Sequence, residues 1–218
     1  MWAVIFDMNG VLIDDMGYHN QAWRTYRHKL AGRISKEGAR QDLTGRTNRE
    51  IFSILLGRQV TEAESLGMEA EKEELYRRLY HPHLSALPGL ENLLKKLKAE
   101  DIPVALATSG PTANVNFILE GLEIRDYFGA IVDAAQITRG KPHPDIFLAA
   151  AKKLGISPEA CLVFEDSLLG IQGARRAGMQ VIGITTTLPA GQLKDTALAV
   201  ADFTEVTFAQ ISRIARSA

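Results

Sequence analysis

The sequence predicts an α/β protein, a doubly wound parallel sheet interrupted once by an all-helical insertion. Two observations carry this. Short apolar runs at residues 2–6, 104–107, 130–132, 161–164 and 181–184 read as buried strands, and from residue 86 onward they alternate with helical stretches. Between about residues 15 and 85 the texture differs: aromatic and basic residues fall at helical spacing, and the charged stretch 61–80 is dominated by Glu, with Lys72, Arg77 and Arg78 among them. Alternating strands and helices of this length demand a parallel sheet covered on both faces. The expected domains are therefore a core of residues 1–14 and 86–218 with residues 15–85 inserted.

Each element has its own signal. The first run carries no turn residue and ends in Asp7, Asn9 and Gly10, a strand feeding a loop. Pro88 and Gly89 close the insertion and start a helix whose Leu90, Leu93, Leu94 and Leu97 fall on one face. Helical stretches end at Gly155 and Gly178, where glycine can take the left-handed conformation that a helix stop requires. Lys141-Pro142 and Ser157-Pro158-Glu159 are further breaks, and no internal repeat or low-complexity tract is visible.

Composition excludes several classes of function. The 218 residues carry 25 Lys and Arg against 26 Asp and Glu, so a net charge of -1 offers no attraction for nucleic acid or a membrane surface. Any anion must be gathered locally. The apolar residues 2–6 are too short for a signal-peptide core, and no apolar run approaches a membrane span. A lone cysteine, Cys161, forms no intrachain disulfide and sits among apolar neighbours, which reads as a buried structural thiol in a cytoplasmic protein.

In an open parallel sheet the ligand site lies beyond the carboxyl ends of the strands. Here the first strand is followed by Asp7-Met8-Asn9-Gly10-Val11 and the second by Thr108-Ser109-Gly110; Lys141-Pro142 precedes the fourth, which runs into Glu165-Asp166-Ser167. A nucleophilic carboxylate, a hydroxyl, an amine and a carboxylate pair thus converge on one edge. Any one of them alone is an ordinary cap or turn residue, but the set in this order is specific. These segments resemble the haloacid dehalogenase superfamily, in detail its β-phosphoglucomutase-like branch of phosphatases and mutases. The likeness extends through Gly140-Lys141-Pro142-His143-Pro144-Asp145-Ile146-Phe147 and Phe164-Glu165-Asp166-Ser167-Leu168-Leu169-Gly170-Ile171, and the insertion is similar to that family's mobile cap. Within the insertion, Tyr18-His19-Asn20-Gln21-Ala22-Trp23 and Gly45-Arg46-Thr47-Asn48-Arg49-Glu50 resemble cap segments.

The resemblance implies magnesium-dependent phosphoryl transfer to or from a small phosphorylated metabolite. Asp7 would be the nucleophile that becomes an aspartyl-phosphate. Mg2+ would be held by Asp7, the backbone carbonyl of Asn9 and Asp166, with Glu165 close by. Lys141 would keep Asp7 ionised and offset charge, while Thr108, with Ser109 beside it, would contact the phosphoryl oxygens. Arg49 is expected to bind the remote part of an anionic substrate, with Arg78 a second candidate. His19 either contacts substrate or packs against its helical neighbours. His81 and His83 flank Pro82, and with no third ligand they read as a hinge or loop rather than a metal pair.

One residue departs from the family pattern. The acid/base carboxylate two residues after the nucleophile is Asn9 here, and an amide has no proton that titrates usefully. Asp14 and Asp15 lie farther along the chain. The departure, with Gly110-Pro111-Thr112 in place of a more basic loop, favours a phosphatase over a sugar phosphomutase; a non-catalytic phosphate-binding protein is the other alternative. Because Gly10 follows Asn9, deamidation could restore a carboxylate at this position.

Overall fold

A computed structural model describes residues 1–38 and 48–217, and the chain divides into two compact units, Met1–Asp14 with Leu84–Ala218, and Asp15–His83. The segment 45–47 singled out above lies outside the described residues. In the first unit the strands are β1 (Ala3–Phe6), β2 (Val104–Ala107), β3 (Ala130–Val132), β4 (Cys161–Glu165), β5 (Gln180–Ile184) and β6 (Leu198–Val200). They form one six-stranded sheet in the order β3-β2-β1-β4-β5-β6, parallel throughout. This is the doubly wound topology that the apolar runs predict. The chain winds one way to β3 and the other way to β6, so the order reverses beside β1.

Register explains the packing. Val4 pairs with Val104 on one side and Leu162 on the other, and every residue of β1 is buried, as a central parallel strand requires. Alternate side chains point to opposite faces. Ala3, Ile5, Ala105, Cys161 and Val163 share a core with Ile146, Phe147 and Ala150 of α6 (Asp145–Leu154) and Ile171 and Ala174 of α7 (Leu168–Arg176). On the other face Phe6 stacks on Phe164 at 5.0 Å, and both meet the edge of Phe203. Small residues on the α6 side let the helix approach, while aromatics fill the opposite layer. Cys161 is fully buried and burial pushes its thiol up to about 11, so it is an inert part of the first core.

The remaining helices of this unit are α4 (Leu90–Ala99), α5 (Thr112–Gly121) and α8 (Phe208–Ala215). Leu90, Leu93, Leu94 and Leu97 are all buried along one face of α4. Gly155, at φ 69°, ends α6 as its C-cap.

The second unit holds α1 (Met16–Lys29), α2 (Asn48–Leu56) and α3 (Glu62–Tyr80). Tyr26, Leu30, Ile51, Phe52, Leu55 and Val60 make its apolar core. Thr61 opens α3 with a reciprocal capping box to Glu64, which satisfies two of the free amides at that end. His81, Pro82 and His83 form a short 3-10 turn, and the His83 ring stacks on Tyr18. Among the described residues no helix is long and apolar enough to cross a membrane.

Candidate active site

The segments that follow β1, β2, β3, β4 and β5 carry the groups of interest. Asp7 follows β1, and its backbone N–H donates to the Phe164 carbonyl at 3.0 Å, so the sheet continues one residue beyond the strand and fixes where its carboxylate starts. The chain then turns sharply, with Leu12 N–H donating to the Met8 carbonyl at 2.8 Å. Met8, Val11, Leu12 and Ile13 are fully buried, which anchors the loop by its apolar side chains. Gly10, at φ 72°, lies where a Cβ would collide with the Asp166 carboxylate, so both the backbone angle and the close approach require glycine.

Lys141 joins the two central strand ends. Its ammonium donates to Asp7 Oδ1 at 2.6 Å and to Glu165 Oε1 at 2.5 Å. Its loop is held by Arg176, which donates to the Pro142 carbonyl at 2.9 Å. The other Glu165 oxygen accepts the backbone N–H groups of Asp166 and Ser167, both at 2.8 Å, and the Ser167 hydroxyl at 3.0 Å. Glu165 is thereby committed to fixing Lys141 and its own loop. Asp166 accepts a hydrogen bond from the Thr187 hydroxyl.

Among the described residues, Asp7, Glu165 and Asp166 are the group whose oxygens all lie within 4.8 Å of one another and could hold a metal ion. Three buried carboxylates face one ammonium. Burial pushes the Asp7 carboxyl up to about 7, with Lys141 opposing and Glu165 adding to the rise. Asp166 is likewise raised, first by burial and then by Glu165 and Asp7. Burial pulls the Lys141 ammonium down, yet the two carboxylates outweigh it and hold its pKa above the ordinary lysine value. The surplus negative charge, presented by hard oxygen donors, fits Mg2+.

Thr108 and Ser109 follow β2. Thr108 is buried, Ser109 is exposed, and Gly110 N–H donates to the Thr108 hydroxyl oxygen at 3.0 Å. With that oxygen accepting from below, its own proton is free for another acceptor. A Cβ on Gly110 would lie 3.6 Å from Asn9 Oδ1, which places the Asn9 side chain beside this turn.

The structure therefore brings Asp7, Asn9, Thr108, Lys141, Glu165 and Asp166 to one edge of one unit. His19, Arg49 and Arg78 belong to the helical unit and are engaged within it. The His19 ring stacks on Tyr76 at 3.7 Å and its Nδ1 lies 2.9 Å from the Lys72 ammonium. Arg49 Nε donates to the Val60 carbonyl at 3.3 Å, and Arg78, largely exposed, pairs with Glu74 at 2.9 Å.

Two residues of the site have no counterpart in the sequence reading. Thr187 holds Asp166, and the Thr186 hydroxyl donates to the Gly10 carbonyl at 2.5 Å, fastening the loop after β1 to the loop after β5. Their signal is the run Thr185-Thr186-Thr187 directly after the fifth apolar strand, at the same edge.

Comparison with known proteins supplies the family. A model described as haloacid dehalogenase-like hydrolase matches residues 1–178. The chain is 38% identical over 194 residues to β-phosphoglucomutase of Bacillus subtilis, covering 84% of this chain and 83% of that one. It is 32% identical to a phosphorylated carbohydrates phosphatase of Thermotoga maritima, over 88% of this chain and 89% of the other. The crystal structure of a family IA, variant 3 hydrolase from Entamoeba histolytica superposes with a TM-score of 0.89 at 33% identity, each chain fully covered.

Proposed function

The chain belongs to the haloacid dehalogenase-like hydrolases, and on that premise we propose that it is a magnesium-dependent phosphatase of a small phosphorylated metabolite, working through Asp7. The observation that carries the reading is the Lys141 ammonium bridging Asp7 and Glu165 beside a third buried carboxylate, Asp166. Asp7, Asp166 and the Asn9 carbonyl would hold Mg2+, which when bound supplies charge neutralisation to the phosphoryl oxygens.

Asp7 attacks phosphorus through a carboxylate oxygen, the bond from phosphorus to the leaving oxygen breaks, and an aspartyl-phosphate forms. Water then attacks the same phosphorus, releasing inorganic phosphate and restoring Asp7. Lys141 favours the ionised nucleophile against the burial that raises its pKa, and the Thr108 proton is available to a phosphoryl oxygen. Asn9 can donate an N–H to the leaving oxygen but cannot transfer a proton to it. Substrates whose leaving group needs little protonation, such as acyl phosphates, pyrophosphate or aryl phosphates, lose least by this. The names of relatives point to phosphorylated carbohydrates as the class to test beside them.

The likeness to a β-phosphoglucomutase supports a mutase as second reading. A mutase must both protonate and deprotonate sugar oxygens, which Asn9 cannot do, so the phosphatase is preferred. The test is phosphate release from sugar phosphates, nucleotides, pyrophosphate and aryl phosphates, with magnesium and with chelator. Release should need the metal and vanish in Asp7→Asn and in Asp166→Ala. Undiminished release in chelator, or from Asp7→Asn, overturns the reading.

A further inference from the structure

Strand β3 ends at Val132, and the next residue, Asp133, is a carboxylate only 3% exposed that takes no part in the chemistry above. A buried charge persists only when its lone pairs are met. Here Oδ2 accepts the Thr112 hydroxyl at 2.6 Å, while Oδ1 accepts the Ala135 backbone N–H at 3.1 Å and the Gln136 amide at 3.2 Å. Thr112 is the first residue of α5, whose N-cap is Pro111 and has no side-chain cap. A negative charge suits the N-terminal end of a helix, where amide groups are unpaired.

The bond from Thr112 to Asp133 crosses between the loop after β2 and the loop after β3. Two backbone bonds run beside it: Thr108 N–H donates to the Val132 carbonyl at 3.0 Å, and Ala134 N–H donates to the Gly110 carbonyl at 3.2 Å. The turn of Thr108, Ser109 and Gly110 is thus held at both ends by the residues flanking Asp133, and its exit into α5 is held by Asp133 itself.

We infer that Asp133 is a positioning residue for the phosphoryl-binding turn, with Thr112 as the other half of the clasp. The inference rests on the proposed reading that Thr108 and Ser109 bind phosphoryl oxygens. Shape matters there because a donor misplaced by about 1 Å can cost on the order of 10²-fold. Asp133 touches no reacting atom; its effect passes through the backbone of the turn.

The test uses Asp133→Ala, Thr112→Val, the double variant and the conservative Asp133→Asn, in the full chain with magnesium. Calorimetry with inorganic phosphate gives Kd, while its stoichiometry reports the folded fraction. Amide exchange over residues 108–112 reports the turn directly. Asp133→Ala and Thr112→Val should each weaken phosphate by about tenfold and speed exchange in the turn, at unchanged stoichiometry. The double variant should be no worse than Asp133→Ala alone, because the contact that Thr112→Val removes is already lost there. Asp133→Asn, which still accepts from Ala135 and can bond Thr112, should recover most of the loss. Unchanged exchange, multiplying effects in the double variant, or a wild-type protein that binds no phosphate would overturn the clasp. Wild-type protein that binds phosphate but hydrolyses no monoester would instead refute the phosphatase reading, and the clasp would still be judged by Kd.

Discussion

Asn9 is the residue at which a substitution should raise turnover most. It stands beside the turn of Thr108 and Gly110, two residues beyond Asp7, where the family pattern places an acid/base carboxylate. Asn9→Asp should raise turnover on alkyl phosphates on the order of 10²-fold, the usual contribution of a positioned acid and base, and raise it far less for an aryl phosphate. Steady-state kinetics on freshly purified protein checks this, with mass spectrometry of the peptide around Asn9 to exclude deamidated material; equal gains on both substrates would count against it. Asp7, Lys141, Glu165 and Asp166 are legible in the sequence because each adjoins an apolar strand or a Gly-Lys-Pro break. Thr187 and Asp133 are not. A threonine or aspartate after a strand reads as a turn residue until its partner, 21 residues away in both cases, is known.

Helices α3 and α7 each hide a constraint that their composition conceals. Residues 61–80 read as a charged stretch of a helical insertion, and within it Lys72 and Glu73 of α3 are buried, paired at 2.9 Å, with Asn48 donating to Glu73 at 3.1 Å. Burial pulls the Lys72 ammonium down, with Glu73 resisting. Removing one partner of a buried pair leaves the other charge stranded, so Lys72→Met should destabilise the helical unit by about 3 kcal/mol. Lys29→Met, which breaks the exposed pair with Glu71, should cost under about 1 kcal/mol. Urea unfolding followed by Trp23 fluorescence in a Trp2→Phe background compares the two, and similar midpoints would refute the distinction. In α7, Gly170 sits where a Cβ would collide with the Glu165 carboxylate. Helix propensity alone favours Gly170→Ala by about 1 kcal/mol, but the collision pushes Glu165 off Lys141. Phosphate release should fall at least about tenfold, and an active, more stable Gly170→Ala protein would show that the carboxylate can move aside.

For the core unit as a whole, three buried carboxylates, two of them paired with one lysine, would make a bound magnesium ion a folding ligand as well as the proposed cofactor. Magnesium at 100 times its Kd should stabilise this unit by about 2.7 kcal/mol, seen as a higher unfolding midpoint. Asp166→Asn should remove that gain without lowering the metal-free midpoint, since it relieves a like-charge contact. A magnesium shift that survives the substitution would mean that the ion binds elsewhere. The fold class and the grouping of Asp7, Thr108, Lys141, Glu165 and Asp166 were determined by sequence alone, because apolar runs and the polar residues that adjoin them are local patterns, and parallel winding sends all such ends to one edge. The sixth strand was decided by tertiary structure: Leu198–Val200 lies at the edge of the sheet, two of its three residues only partly buried, and becomes a strand through its pairing with β5. So were the two oxygens of Glu165, one spent on Lys141 and the other on its own loop, and the fastening of the nucleophile loop by Thr186. Gly10 and Thr186 are 176 residues apart, and a hydrogen bond across that distance is set by the register of the packed sheet, which no local pattern encodes.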